Sequence, residues 1–407
     1  MFRVSCFALA LAAPIALHAQ SAEELAPAPP VPAAPLTAPP MAMPTVEWPR
    51  EDAEALLAFV QSVGAEGLDP ADYSPERLRG AIDSGDAGAI NGAATQTFLK
   101  LSSDLSLGHV RGDARLDWHL QDDSLNGQEQ YALMSRAIAG DSVGDTLTSL
   151  LPTHPQYTEL KSVLAVTPAS DTATIDKIRT NLDRWRWLPR DLGQRYVIVN
   201  VPAYSVALVE DGRVTARRRA VAGAPKTATP QLNATISGVI FNPWWEVPAS
   251  ITPEVRSKKG YVKVPNGDGF RYRQPPGPGN ALGRMKLVMP NPHAIYLHDT
   301  PSKSLFDKKA RAFSHGCIRT EDAIGFASIL LESNALWDRG KINEALASGK
   351  TVQADLAAPV PVYITYFTAA AAADKGEIVA YNDIYGRDKP VTTALNDRAD
   401  GSALASR

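Results

Sequence analysis

The sequence predicts an α+β protein in which an α-helical domain precedes a mostly β domain. Three observations indicate this fold class. Apolar residues recur at helical spacing from Arg50 to about residue 168, whereas β-branched residues alternate with polar ones beyond Arg195. A single further helical pattern, which follows Cys317, interrupts the β region. The length of 407 residues suits two domains with additional terminal segments.

The N-terminal segment, residues 1–19, has the features of a secretory signal peptide. Arg3 precedes an apolar run from Val4 to Leu17, and the small residue Ala19 closes the segment. A permanent membrane anchor requires roughly 20 apolar residues, more than this run provides. We therefore expect cleavage after Ala19, export of the protein, and no transmembrane segment after the signal is removed.

Residues 20–49 are rich in alanine and proline and carry few charges. Such a composition cannot bury a core, so we expect a disordered linker there. At the other end of the chain, we expect residues 391–407 to form a flexible tail. The net charge is only −3 and no long basic block occurs, which argues against a nucleic acid as partner.

The predicted helical domain spans residues 50–170, and a connecting helix follows over residues 171–195. Leu56, Leu57 and Val60 fall on one stripe of the first helix, the arrangement expected of a helix with one buried face.

The predicted β domain spans residues 196–390. Two alternating stretches lie on either side of Asp211-Gly212, a dipeptide that favours a two-residue hairpin. Residues 361–368 and 376–382 have the β-branched and aromatic composition of further strands.

Cys317 is one of two cysteines, and the other, Cys6, lies in the predicted signal peptide. After cleavage Cys317 has no partner for an intramolecular disulfide. Three roles remain open from this observation: a nucleophile, a zinc ligand, or a buried structural residue.

The neighbours of Cys317 favour the nucleophile. His298 ends an apolar, strand-like run and His315 lies two residues before the cysteine, so either imidazole could reach the sulfur as a base. A helix that begins at Glu321, capped by Thr320, would leave Cys317 just outside a helix N-terminus. The partial positive charge there favours a thiolate.

Two more neighbours point the same way. Arg319 adds a cation two residues after the cysteine, and Gly316 allows the backbone to approach a substrate closely. The N–H groups of Gly316 and Cys317 could then stabilise an oxyanion.

Zinc is the rival interpretation. His293, His298 and His315 could join Cys317 as nitrogen and sulfur ligands. The chain has neither a Cys-x-x-Cys nor a His-Glu-x-x-His spacing, so the residues favour a nucleophile over a metal site.

Residues 296–319, YLHDTPSKSLFDKKARAFSHGCIR, resemble the catalytic signature of the L,D-transpeptidases with a YkuD-type domain. In that family a histidine precedes a Ser-His-Gly-Cys-hydrophobic-Arg motif by a comparable interval. The resemblance implies that Cys317 is the nucleophile and that His298 is the general base and acid, oriented by a carbonyl near Asp299. The supporting residues that it implies around the oxyanion are Ser314, His315, Gly316 and Asp299. The substrate-binding residues that we expect are Arg319, Arg273, Trp245 and Tyr296.

Other segments resemble the large periplasmic branch of the family, namely GLDPADY, DRWRWLP, GVIFNPWWEVPASI and NDIYGRD. This likeness implies an N-terminal helical scaffold domain and a YkuD-like β-sandwich as catalytic domain, with a lid near residues 250–273. Two departures stand out. The peptidoglycan-binding module that commonly precedes the NLDRWRW segment has no room here, and the lid segment is short.

The resemblance therefore implies an L,D-transpeptidase that acts on peptidoglycan stem peptides in the periplasm. Cys317 would form a thioester, release D-alanine and transfer the acyl group to an amine, in 3-3 cross-link formation or exchange. No metal and no organic cofactor is implied, and we expect a monomer. The alternatives from other classes are a zinc-dependent peptidoglycan hydrolase and a catalytically silent cell-wall-binding protein.

Overall fold

The structure is a computed structural model, and it describes residues 46–120, 125–267, 269–372 and 376–397. The predicted signal peptide, residues 20–45 of the predicted linker, and residues 398–407 of the predicted tail lie outside these ranges. Disorder is the wrong prediction for the end of the linker, because Trp48 is buried in the helical core. Within the described ranges, no helix has both the length and the apolar character needed to cross a membrane. The described residues belong to one compact unit.

The first part of the described chain is helical, as the apolar spacing predicts. Leu56 and Val60 are fully buried, whereas Leu57 on the same stripe is only half-buried. Residues 167–171 alone separate the last two helices of this region. The helices are α1 (Arg50–Ser62), α2 (Pro75–Ser84), α3 (Ala87–Leu107), α4 (Gly127–Ala139), α5 (Val143–Thr148), α6 (Pro155–Val166) and α7 (Thr172–Arg186).

The second part is mostly β and contains four short helices. The strands are β1 (Arg195–Asn200), β2 (Ser205–Glu210), β3 (Arg213–Gly223), β4 (Leu232–Phe241), β5 (Trp245–Glu246), β6 (Val262–Asn266), β7 (Gly269–Gln274), β8 (Met285–Val288), β9 (Leu297–His298), β10 (Ala312–Ser314), β11 (Ile318–Thr320), β12 (Val352–Thr365), β13 (Ala369–Ala371) and β14 (Ile378–Ala380). The helices are α8 (Thr252–Val255), α9 (Ala323–Leu331), α10 (Arg339–Ala347) and α11 (Asp388–Asn396). The α+β class is confirmed.

Nine strands form one sheet in the order β10-β3-β11-β9-β8-β4-β12-β1-β2, and β2 also pairs with β3. This last pairing closes the sheet on itself. The predicted hairpin at Asp211-Gly212 is the β2–β3 turn, where Glu210 pairs with Arg213. Both turn residues have positive φ, at 49° and 74°, as a type I′ hairpin requires.

The two faces of the sheet pack against different layers. Inward side chains such as Val197 and Leu208 form a core with Phe326 of α9. The outer face of β1, β2 and β12 packs against α6 and α7, where Trp185 stacks on Phe367 with ring centroids 4.3 Å apart. A continuous apolar layer therefore joins the helical part to the β part.

The predicted helix start at Glu321 is wrong. Ile318–Thr320 extends as β11 between β9 and β3, and the β-branched residues Ile318 and Thr320 are buried in that position. The helix begins two residues later, at Ala323, with the side chain of Asp322 accepting a hydrogen bond from the Gly325 N–H at 3.2 Å. The pairing of β11 with β9 and β3 therefore keeps Thr320 in a strand, where the local sequence predicts a helix cap.

The predicted flexible tail is wrong for residues 391–396, which belong to α11. Val391 and Leu395, four residues apart, lie on one helical face and are buried with Trp187. Arg184 of α7 binds Asp388 at the start of α11, with Nη1 2.6 Å from Oδ1. The end of the described chain is therefore docked on the connecting helix.

Candidate active site

Cys317 lies in the tight turn between β10 and β11. Ser314 holds this turn from inside, because its hydroxyl donates to the Cys317 carbonyl at 2.5 Å and accepts from the Gly316 N–H at 3.2 Å. Gly316 has φ 111°, and a Cβ there would stand 3.2 Å from the Cδ1 atom of Ile295. The turn thus depends on glycine at position 316.

His298 lies on the neighbouring strand. β9 and β11 are parallel, with Leu297 opposite Ile318 and His298 opposite Arg319. Leu297 and Ile318 point into the core. Since side chains alternate along a strand, His298 and Arg319 share the other face of the sheet, and Cys317 lies in the turn immediately before β11, at the edge of the core.

The His298 ring is buried and fixed by the chain itself. Its Nδ1 lies 2.5 Å from the backbone oxygen of Asp299, so Nδ1 carries the proton and Nε2 is left to accept one. Burial and the nearby charge of Arg319 lower the pKa of His298 to about 4, although the carbonyls of Asp299 and Leu282 offset part of this. The imidazole is therefore neutral at pH 7.

The Cys317 sulfur is surrounded by hydrogen-bonding groups. Its thiol points to the Ala294 carbonyl at 3.7 Å, and hydrogen bonding by the backbone and the side chain of Tyr296 lowers the pKa of the thiol. Burial raises the pKa of the Tyr296 phenol, and the Trp245 side chain offsets part of this. None of the hydrogen bonds among the described residues joins the sulfur to the His298 ring.

Burial raises the pKa of the Cys317 thiol, and the Tyr296 hydrogen bonds and the positive charges of Lys286 and Arg319 offset this only in part. The predicted contribution of a helix N-terminus is absent, because β11 and Asp322 separate Cys317 from α9. The resting pair is consequently a neutral thiol and a neutral imidazole. Such a pair can react by general-base catalysis when a substrate draws the two groups together.

The two other histidines near the motif, His315 and His293, contact residues other than Cys317. His315 is exposed and its Nε2 lies 3.0 Å from Oε1 of Glu254 on α8. His293 packs on His119 with ring centroids 4.1 Å apart. The zinc set of the rival interpretation does not come together, and no group of three or more His, Cys, Asp and Glu side chains in the described ranges is arranged to hold a metal ion.

The predicted lid segment contains α8 and the β6–β7 hairpin, and β7 also pairs with β5. Trp245 is buried in a small apolar cluster beneath it. The Arg273 guanidinium lies 4.0 Å from the Trp244 ring centroid and 2.9 Å from Oε1 of Glu246. In this structure the Arg273 charge is therefore already paired.

The Asp299 side chain supports the turn beneath His298. Its Oδ2 accepts from the Arg284 N–H at 2.8 Å, and Oδ1 pairs with Lys303. Gly283 has φ 61°, and a Cβ there would come within 2.4 Å of Asp299 Oδ2. The backbone carbonyl of Asp299 thus accepts a hydrogen bond from His298, and its carboxylate accepts one from the backbone N–H of Arg284.

Two groups at the site were missed by sequence reasoning. Lys286 pairs across from His298, and its Nζ lies 5.2 Å from the Tyr296 ring centroid. Alternation in the Met285–Val288 strand, where a lysine stands between two buried residues, is the signal that would have found it. The Ala294 carbonyl could not be found in this way, because no pattern in the sequence indicates that Ala294 has a positive φ, 53°.

These pKa directions predict the pH dependence of the thiol. Alkylation of Cys317 by iodoacetamide should still accelerate above pH 9, because the thiol pKa is raised from 9.0. Acylation of Cys317 should instead stay near its maximum at neutral pH and fall as pH drops toward 4, where His298 becomes protonated and can no longer take a proton. Stopped-flow rates from pH 4 to 10 would test both. An alkylation plateau reached below pH 8 would contradict the neutral-thiol assignment.

Two family profiles match the chain. The profile of the L,D-transpeptidase catalytic domain, YkuD, matches residues 194–361 and includes Cys317 and His298. The profile of the Scaffold domain matches residues 46–164.

A curated protein of Haemophilus influenzae, named "Putative L,D-transpeptidase", is 31% identical over 288 residues, which are 63% of this chain and 58% of that protein. The chain thus spans little more than half the length of this relative. Among solved structures, the L,D-transpeptidase from Mycobacterium smegmatis is 15% identical, with 42% of this chain and 58% of that chain covered and a TM-score of 0.24. L,D-transpeptidase 3 from Mycobacterium tuberculosis gives 15% identity, 42% and 61% coverage, and a TM-score of 0.24.

Proposed function

We propose that this chain, whose residues 194–361 match the L,D-transpeptidase catalytic domain and whose residues 46–164 match the Scaffold domain, is an acyltransferase that uses Cys317 on peptidoglycan stem peptides. The observation that supports this most is the pairing of β9 with β11, which brings the strand that ends in the neutral, backbone-oriented imidazole of His298 beside the strand that Cys317 immediately precedes. Its place of action is the periplasm, reached through the predicted signal peptide.

In the first half-reaction His298 Nε2 takes the proton of the Cys317 thiol, and the sulfur attacks the carbonyl of the third residue of the stem. That residue is a diamino acid whose L-centre is joined to a terminal D-alanine. The carbonyl oxygen becomes an oxyanion, and the C–N bond then breaks. His298 returns the proton to the departing amine, so D-alanine leaves and a thioester remains.

In the second half-reaction an amine of another stem attacks the thioester carbonyl while His298 accepts its proton. The C–S bond breaks, the thiol regains a proton from His298, and a 3-3 cross-link or an exchanged stem is released. Water in place of the amine gives hydrolysis.

The oxyanion donors that we propose differ from the pair predicted from sequence. The Gly316 N–H already bonds to the Ser314 hydroxyl, so it is not available. The Cys317 N–H takes no part in the hydrogen bonds among the described residues. The Tyr296 side chain interacts with the sulfur, the atom that gains the acyl carbon, so its hydroxyl can turn from the sulfur to the oxyanion when the sulfur attacks. Cys317 N–H and Tyr296 Oη–H are therefore the proposed donors.

The proposal predicts a single covalent adduct with a carbapenem. A β-lactam offers a strained acyl carbon to a thiol with a nearby base, and the chain has no Ser-x-x-Lys motif that would direct acylation to a serine. Intact-mass analysis should show one adduct per chain, and digestion should place it in residues 312–319. Excess chelator should leave the reaction unchanged.

Turnover of a purified tetrapeptide muropeptide, followed by mass spectrometry, should show loss of D-alanine and formation of dimers or exchanged stems. An adduct on serine, or no adduct while iodoacetamide labels Cys317 readily, would defeat the acyl-transfer proposal. Activity lost with EDTA and restored by zinc would favour the metallohydrolase instead.

A further inference from the structure

The turn that carries Cys317 is also held from outside, by Thr229. The Thr229 hydroxyl donates to the Gly316 carbonyl at 2.8 Å and accepts from the Gly223 N–H at 2.9 Å. Thr229 is 0% exposed. A hydroxyl has one proton to give, and here the Gly316 carbonyl receives it.

This hydrogen bond acts on the peptide unit that ends in the Cys317 N–H. A peptide unit is planar, so fixing the direction of the Gly316 carbonyl also fixes the direction of the Cys317 N–H. Gly316 lacks a Cβ and has wide rotational freedom, so the backbone by itself does not hold this plane. The orientation of the proposed oxyanion donor therefore depends on a contact from another segment.

Thr229 is in turn positioned by the NDIYGRD segment near the C-terminus. The Thr229 N–H donates to the Tyr385 hydroxyl at 3.2 Å, and that hydroxyl donates to the Gly223 carbonyl at 2.6 Å. Nη2 of Arg387 reaches the Thr229 carbonyl at 3.3 Å. The Arg387 guanidinium lies 4.9 Å from the ring centroids of Tyr366 and Tyr385 and is nearly fully buried.

Arg387 forms a salt bridge with a residue of the Scaffold domain. Asp117 Oδ2 lies 2.5 Å from Arg387 Nη2. The same segment exchanges backbone hydrogen bonds with Gln231: the Gln231 N–H donates to the Asp117 carbonyl at 2.9 Å, and the His119 N–H donates to the Gln231 carbonyl at 2.8 Å. A buried guanidinium requires such a partner, because an unpaired buried charge is strongly destabilising.

We infer that Thr229 is a positioning residue that orients the Cys317 N–H, and that Asp117 and Arg387 link the Scaffold domain to this orientation. The inference deepens the proposed acyl transfer and rests on it for its kinetic test. It also assigns a role to the NDIYGRD segment, which positions Thr229. The helical domain then influences acyl transfer through Asp117 without contacting the substrate.

Two reactions of the Cys317 thiol distinguish a loss of orientation of the Cys317 N–H from a general disruption of the site. Acylation passes through an oxyanion that needs the Cys317 N–H. Alkylation by iodoacetamide displaces iodide at a saturated carbon and forms no oxyanion. Loss of positioning should therefore slow the first reaction and spare the second.

Thr229→Val removes the hydroxyl and keeps the shape of the side chain. We expect it to slow acylation by a carbapenem about 10- to 100-fold, less than the roughly 10²–10³-fold loss on removing an oxyanion donor outright. Alkylation should stay within about twofold of wild type. Thr229→Ser, which retains the hydroxyl, should recover most of the acylation rate. Asp117→Asn should show the same pattern with a smaller effect, about threefold to tenfold.

The matched control is Thr365→Val, since the Thr365 hydroxyl is also buried and donates to a backbone carbonyl, that of Val199, at 2.9 Å. It should slow neither reaction selectively. Hydrogen exchange of the peptide spanning residues 312–320 is measured alongside, because it needs no activity. Exchange of the Gly316 amide, which donates to the Ser314 hydroxyl inside this turn, should be faster in Thr229→Val and restored in Thr229→Ser.

Equal slowing of acylation and alkylation, or no recovery in Thr229→Ser, would reduce Thr229 to a structural role and overturn the inference. Unchanged acylation in Thr229→Val would overturn it as well. If wild-type protein is not acylated at all, the proposed function fails. The exchange measurement then decides the inference by itself: unchanged exchange in Thr229→Val overturns it, and faster exchange supports it.

Discussion

Cys317→Ala is expected to abolish carbapenem acylation and stem-peptide turnover while the protein stays folded. The sulfur is the atom that would carry the acyl group, and none of the neighbouring groups can replace it: Tyr296 is a phenol whose pKa burial raises, and His298 faces the Asp299 carbonyl. The lost side chain is small and lies at the surface of the core, so the free energy of unfolding should change by about 1 kcal/mol or less.

The measurement is intact-mass analysis after incubation with a carbapenem, together with the melting temperature. Cys317→Ser serves as the matched variant, because it keeps the size of the side chain and replaces the sulfur by a poor nucleophile at neutral pH. Residual turnover of Cys317→Ala above that of heat-inactivated protein would mean that another group performs the chemistry.

His298→Gln should slow acylation by about 10²–10⁴-fold at pH 7, the range typical of a positioned general base. Glutamine fills most of the space of the imidazole and can still donate to the Asp299 carbonyl, so the loss is that of a proton acceptor. Alkylation by iodoacetamide well above the thiol pKa should match wild type, because the thiol is then ionised without help.

His315→Ala and His293→Ala are the controls for this prediction. Their rings contact Glu254 and His119 and make no hydrogen bond to the sulfur, so neither change should cost more than a few-fold. Equal acylation by wild type and His298→Gln across neutral pH would show that His298 is not the base.

Local patterns predicted a helical region followed by a mostly β region, because periodicity needs only neighbouring residues. The prediction of a single helix in the β region is wrong, since α8, α10 and α11 are present beside α9. The Asp211-Gly212 turn is an example, since its positive φ angles restrict the residue types that fit. The start of α9 shows the limit. Thr320 and Glu321 look like a cap and a first turn, yet Thr320 is bound into β11 by strands distant in sequence.

The geometry of the site was only partly open to prediction. A family resemblance pointed to Cys317 and His298, but the strand pairing that brings their two segments together joins residues about twenty positions apart. The neighbours of Cys317 along the chain favour a thiolate, but they do not determine how deeply the sulfur is buried. The sequence places cations near Cys317, whereas burial, which raises the thiol pKa, depends on the whole fold.

The closed sheet sets an order of assembly. β12, near the end of the chain, lies between β4 and β1, so these two strands have no shared neighbour until residue 365 has been synthesised. Pairings of such long sequence separation form late and slowly. Until β12 pairs, the sheet is open and the edges of β1 and β4 are exposed. β9 and β11, beside His298 and Cys317, pair with their neighbours without β12, so the strand of this sheet that is synthesised last completes the sheet rather than the candidate site.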